Sequence, residues 1–137
     1  MQVVVFGNVT LDVLCFPVEE VPRHASISFE QSVVSPGGCG SNTAIGLGAL
    51  GVPTALVACM GADVVAGLLE QYWQRWNLDC RYVRRVDTAS TGVSVGLVDR
   101  QLQPRFIHTT GANRFLTAND LKIEGLVEAG AKFLHVA

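Results

Sequence analysis

The densest cluster of helix and strand breakers in this chain, Ser35-Pro36-Gly37-Gly38-Cys39-Gly40-Ser41-Asn42, runs directly into Thr43-Ala44-Ile45-Gly46-Leu47-Gly48-Ala49-Leu50, which is small and apolar at helical spacing. A glycine-rich loop that opens a helix is either a structural strand-to-helix turn or a place where a ligand meets a helix N-terminus. Gly51 stands where a C′ glycine stops such a helix, Pro53 prevents its continuation, and Thr54 to Cys59 reads as a buried strand. Val3 to Phe6, β-branched and aromatic and stopped by Gly7, reads as a buried first strand. Strand, loop, helix and strand in this order predict an α/β fold with a parallel sheet.

The pattern then departs from a simple α/β repeat. Ser26 to Ser35 alternates, with Ile27, Phe29, Gln31 and Val33 on one face, and predicts a strand outside the main sheet. Asp63 is placed to cap a helix whose apolar face carries Val65, Leu68, Leu69, Tyr72 and Trp76. Thr91 to Val98 and Arg105 to His108, joined by a polar turn, predict a β-hairpin. Thr117 and Asp120 form a capping-box pattern that predicts a helix continuing to about Ala129, and Lys132 to Ala137 predicts a last buried-type strand. A terminus on such a strand predicts that these residues are the N-terminal part of a longer protein.

Composition sets the limits of function. With 137 residues, 49% of them hydrophobic, the chain makes one folded domain or part of one. Ten Lys and Arg against 12 Asp and Glu leave no cationic excess for phosphate backbones or anionic membranes, so neither nucleic acid nor membrane is expected as a partner. The N-terminus lacks the charged region of a secretory signal and no apolar stretch has spanning length, which predicts a cytoplasmic protein. Cys15, Cys39, Cys59 and Cys80 have no metal-site spacing and read as free thiols; no metal ligands are assigned.

Two glycine patterns need separate treatment. Gly46-Leu47-Gly48-Ala49-Leu50-Gly51 fits the dinucleotide fingerprint only in letters, because it sits within and at the end of a helix instead of opening one. Close packing of the helix on the sheet and a C-cap explain it, and no Walker-type loop occurs. The Gly37 to Asn42 loop reads either as a ligand loop, with backbone N–H groups aimed at one molecule, or as a structural turn. Asp12, shortly after the first strand, reads either as a carboxylate that accepts two hydroxyl hydrogen bonds, as polyol recognition requires, or as a turn residue. His24, His108 and His135 read as solvent-facing or structural.

Gly7 to Asp12, the Gly37-Gly38-Cys39-Gly40-Ser41-Asn42-Thr43-Ala44 loop, Leu50-Gly51, Gly61-Ala62-Asp63, Ser90-Thr91-Gly92 and Gly111-Ala112-Asn113 occur in this order. Together they resemble the N-terminal half of the ribokinase (PfkB) family of carbohydrate kinases, over essentially residues 1–137. The resemblance implies a three-layer α/β/α core with a small β-sheet lid, here truncated, its lid strands at about 13–35 and 91–109. It also implies ATP-dependent phosphoryl transfer to a sugar hydroxyl, with Thr10, Asp12, Gly37, Gly38, Cys39 and Asn42 around the sugar. Thr10 and Cys39 replace an asparagine and a lysine of ribokinase itself, which argues against ribose as the substrate. The family's catalytic aspartate lies in a C-terminal Asp-Thr-x-Gly-Ala-Gly-Asp motif absent from this chain, so no catalytic residue is assigned. The parts that hold ATP and Mg2+ are absent with it. The expectation is therefore the sugar-binding half of a sugar kinase, inactive alone, with a homodimer through the lid. The alternative is a non-catalytic sugar-binding or interaction module.

Overall fold

The computed structural model describes all residues from Met1 to Ala137. Its first sheet is fully parallel. β1 (Val3–Phe6) lies between β4 (Thr54–Gly61) and β8 (Phe133–Val136), and β5 (Val83–Val86) pairs with the outer side of β4, giving the order β5-β4-β1-β8. All eight residues of β4 are buried, as a central strand covered on both faces requires.

Alternation along β1 and β4 divides the core into two layers. Val5, Leu56, Ala58 and Met60 pack against Ala44 of α1 (Cys39–Ala49) and against Ala66, Leu69 and Trp73 of α2 (Val64–Gln74). On the opposite face Val4, Ala55 and Val57 meet Leu126 of α3 (Ile123–Glu128), with Tyr82 and Leu121 packed beside them. The three-layer α/β/α arrangement expected from the sequence is thus present. Trp73 is fully buried, and its Nε1 donates to Ser41 Oγ at 2.9 Å, which joins α2 to the first turn of α1 and leaves neither polar group unpaired.

The second sheet has the order β3-β2-β6-β7, from β2 (Thr10–Phe16), β3 (Gln31–Gly37), β6 (Gly92–Val98) and β7 (Pro104–Thr109). β2 runs parallel to β6, and the two outer strands run antiparallel to their neighbours. Asn113 ties this sheet to the core: its Oδ1 accepts from Val9 N–H at 2.9 Å and its Nδ2 donates to Val9 O at 2.8 Å. One amide side chain therefore pairs with the segment entering β2 in the way a neighbouring strand would.

Several local expectations change. The strand read from Ser26 begins only at Gln31, and it continues through Pro36 to Gly37, because Gly37 still pairs with Thr10. The buried face of α2 is Ala66, Leu69 and Trp73; the helix ends before Trp76, which is 40% exposed in the turn that follows. Thr117 and Asp120 do form a capping box, but it closes a 3-10 turn at Ala118–Asp120, and the α-helix starts afresh at Ile123. Leu121 and Leu126 are five residues apart and would point about 140° from each other on one continuous helix. The break lets both reach the same sheet face. β5, missed in the sequence, carries Arg84 and Arg85 between its two valines and lacks an apolar run.

The G-x-G-x-x-G segment is helical through Ala49, with Gly51 at φ 77° just beyond the end. Gly48 packs against the backbone after α2 instead of the sheet: a β-carbon there would stand 2.7 Å from Trp76 O. No helix is long and apolar enough to cross a membrane.

Candidate functional site

Where the two sheets meet, a cleft of about 290 Å³ opens between the start of α1 and one face of the second sheet. Asn8 and Thr10 line it from the β1–β2 connection and the start of β2, Asp12 from β2, and Gly38 and Cys39 from the N-terminus of α1. Ser94 of β6 and His108 of β7 complete the sheet wall, and Thr109, Thr110 and Asn113 close the end.

Strand register explains this wall. Asp12 pairs with Ser35 on one side and Ser94 on the other, and Ser94 pairs with His108, so Ser35, Asp12, Ser94 and His108 form one row across four strands. Side chains in such a row share a face. Leu11, the next residue along β2, points oppositely into the main core. The polar row consequently faces the cleft while its sequence neighbour anchors the sheet.

Asp12 Oδ1 accepts a hydrogen bond from Thr10 Oγ1 at 2.8 Å, and no protein donor is bonded to Oδ2. That oxygen is available to accept hydroxyl hydrogen bonds from a ligand. Gly37 is buried beside it, and a β-carbon at Gly37 would overlap Cγ and both carboxylate oxygens of Asp12.

The loop glycines serve close backbone approach. Gly38, at φ 85°, packs on Asn8 and Val9, and a β-carbon on Gly40 would lie 2.7 Å from the carbonyl carbon of Gly7. The N–H groups of Gly40 and Ser41 both donate to Asn8 O, at 3.0 and 3.3 Å. These first-turn donors are spent within the protein and do not form an anion cradle. Of the sequence candidates, Thr10, Asp12, Gly38 and Cys39 line the cleft and Gly37 supports it from beneath. Asn42 is exposed on the first turn of α1 outside the lining. Sequence reasoning took His108 as structural and passed over Ser94; only the non-local register brings them beside Asp12.

At the root of the second sheet Asp63 forms the strongest polar junction. Its carboxylate caps α2 through Ala66 N–H at 3.0 Å and accepts from Thr91 N–H at 2.8 Å and Thr91 Oγ1 at 2.7 Å. Burial acts to raise this carboxyl, but the hydrogen bonds from Thr91 and Ala66, with Arg85 nearby, outweigh it and hold it below the ordinary carboxylate range. No disulfide forms. Cys39 is exposed, whereas burial, then the charges of Glu70 and Asp79, push the Cys80 thiol up to about 11.

A three-layer parallel core with a second sheet walling a polar cleft beside a glycine-rich helix start defines a ribokinase-like α/β protein. The sequence profile described as pfkB family carbohydrate kinase matches residues 1–137, and the chain belongs to that family. It is 22% identical over 121 residues to a deoxyribokinase of Salmonella typhi, covering 88% of this chain and 40% of the relative. It is 30% identical over 104 residues to a fructokinase of Rhizobium leguminosarum bv. trifolii, covering 76% of this chain and 32% of the relative. Among solved structures, the Arabidopsis thaliana ribokinase complexed with ribose and ATP superposes with a TM-score of 0.79 at 27% identity, over 89% of this chain and 41% of that one. The chain spans about two fifths or less of the length of these relatives.

Proposed function

We propose that this chain is the sugar-binding part of an ATP-dependent carbohydrate kinase. The observation that carries this reading is the uncommitted Oδ2 of Asp12, held in a polar cleft by Thr10 and Gly37. In such a transfer the sugar hydroxyl oxygen forms the new bond to phosphorus, ADP departs, and the hydroxyl proton passes to a base. This chain contributes positioning: Asp12 accepts from sugar hydroxyls and fixes their direction, one of the two means, with charge stabilisation, by which a protein catalyses phosphoryl transfer.

Its own residues do not fit a nucleotide and its metal. The Gly40 and Ser41 N–H groups in the first turn of α1 are already bonded to Asn8, and no three His, Cys, Asp or Glu side chains come together. ATP and Mg2+ would be held by the portion of a relative that this chain does not span. The second sheet then acts as a lid over the sugar, with β2 contributing Thr10 and Asp12 directly. Its cleft face also carries an apolar row in which Val33 and Phe106 are 55% and 53% exposed, continuous with the Asp12 row, and this row supports pairing of two copies through the lid. A cytoplasmic location accords with an ATP-consuming reaction.

The open polar cleft would hold a sugar whether or not transfer follows, so the other reading is a binding module without catalysis. The test uses the longest open reading frame that carries this sequence, with ADP release measured against pentoses, hexoses and nucleosides. Sugar-dependent ADP release supports the kinase. Sugar binding without ADP release in that protein supports the binding module instead.

A further inference from the structure

We propose that His108 determines substrate specificity, reading from β7 the end of an uncharged polyhydroxy substrate opposite the hydroxyl held at Asp12. This rests on the sugar-site reading above. Asp12, Ser94 and His108 occupy one register row and all line the cleft. Asp12 and His108 are two strand spacings apart, about 9.5 Å between backbones, so the two side chains bracket a ligand instead of contacting one another. His108 is exposed and takes part in no hydrogen bond or ion pair within the protein. An imidazole with both ring nitrogens uncommitted offers one donor and one acceptor to a ligand. Ser94 between them presents a hydroxyl that reaches the same ligand face.

The charge around the row selects the class of ligand. Asp12 is the sole carboxylate in the lining, and neither lysine nor arginine is present there. Arg105, farther along β7, is committed to the carbonyls of Val18 and Glu19, and the Arg114 guanidinium lies over the Phe115 ring. A phosphorylated sugar would bring a dianion into a cleft that already holds a carboxylate and has no fixed cation to meet it. A neutral sugar or nucleoside meets no such penalty and uses every polar group in the row.

The experiment compares wild type, His108→Ala, His108→Gln and Asp12→Ala in the longest open reading frame carrying this chain, with neutral sugars, nucleosides and sugar phosphates as substrates. His108 pairs with β6 through its backbone on an edge strand, so these substitutions leave the fold intact. Loss of one neutral hydrogen bond raises KM for the preferred uncharged substrate about three- to tenfold in His108→Ala with kcat nearly unchanged, and glutamine recovers part of it. The ranking of sugars that differ at the end remote from the reacting hydroxyl narrows as well. Unchanged KM and ranking in a folded His108→Ala, or preference for a sugar phosphate, overturns the inference. If Asp12→Ala is equally silent, the sugar site itself is wrong; if Asp12→Ala alone is damaged, only the role of His108 falls. Should no substrate turn over, saturation-transfer NMR of the same sugars on the same full reading-frame protein, with folding checked by a melting curve, decides. A signal lost in His108→Ala supports the proposal, and an equal or absent signal overturns it.

Discussion

The carboxylate of Asp12 occupies the volume that a side chain on Gly37 would fill, so glycine at 37 is a condition for where Asp12 points. The two residues meet diagonally from neighbouring strands, two residues apart in register, since Gly37 pairs with Thr10 and Asp12 with Ser35. Because the overlapping atoms end a flexible side chain, an added methyl displaces the carboxylate and spares the backbone. If the chain serves the proposed kinase, Gly37→Ala is therefore expected to cut kcat/KM, measured in the longest open reading frame that carries this sequence, while shifting thermal stability little. Asp12→Ala should cost about ten- to two-hundredfold in kcat/KM, the loss of one charge-assisted hydrogen bond. Steady-state kinetics beside a melting curve checks both; a Gly37→Ala enzyme with wild-type kinetics would show that the carboxylate position is unimportant.

Gly40 makes the opposite prediction. Its neighbour is the backbone of Gly7, which cannot swing aside, so Gly40→Ala must push α1 away from β1. A cost of about 1–3 kcal/mol follows from overpacking. Gly46, in the same helix with open space around it, should gain about 1 kcal/mol on replacement by alanine. Urea unfolding of the two variants should move in opposite directions.

Acid stability should follow three carboxylates. Asp79 is held low chiefly by its hydrogen bonds from Arg81, Asp120 by Arg84, and Asp63 by Thr91 and Ala66 against its burial. A depressed folded pKa contributes stability that is complete above the unfolded value of about 3.9 and is lost as pH falls through the folded values. Unfolding free energy should thus decline below about pH 4, and less steeply in Asp63→Asn. Asp63→Ala removes both a helix cap and the Thr91 bonds and should cost about 2–4 kcal/mol at neutral pH.

Thiol reagents should distinguish the cysteines. Cys39 is exposed at the cleft, Cys15 and Cys59 are buried, and Cys80 is held protonated well above neutrality. Iodoacetamide at neutral pH should alkylate Cys39 first, and a bound sugar should slow it. Peptide mass mapping that finds Cys80 modified earlier would contradict this placement.

Pairing through the second sheet predicts a dimer by light scattering at roughly 50 µM, a concentration that populates weak interfaces. Phe106→Glu, which places a charge in the apolar row, should leave a monomer. A wild-type monomer at that concentration would exclude the pairing.

What the sequence revealed is what neighbouring residues decide among themselves. Asp63 as helix cap, Gly51 as helix stop and the Val98 to Pro104 turn of the hairpin depend on a few adjacent residues, and each is where the pattern puts it. The break at Leu121 was not legible, because it answers to a sheet face built from residues 4, 55 and 57. Asp12 was legible as a carboxylate after a first strand, but its place within the second sheet, beside Ser94 and in line with His108, depends on the pairing of β2 with β6, far along the chain. The glycine loop was readable as a ligand loop or a structural turn; that Gly7, Asn8 and Asp12 pack against its glycines was not.

The Asn113 clasp on Val9 spans 104 residues. During synthesis, therefore, the strand that carries Asp12 leaves the ribosome long before either β6 or its locking amide exists. Pairing with β3 alone gives a two-stranded ribbon, which is marginal in water. The cleft wall is thus a late assembly, and ordering of the cleft should lag behind the β1–β4 core in a refolding experiment, since contacts this distant in sequence form slowly. Pulse-labelled hydrogen exchange would see it as late protection of the Val9 amide relative to those of β4.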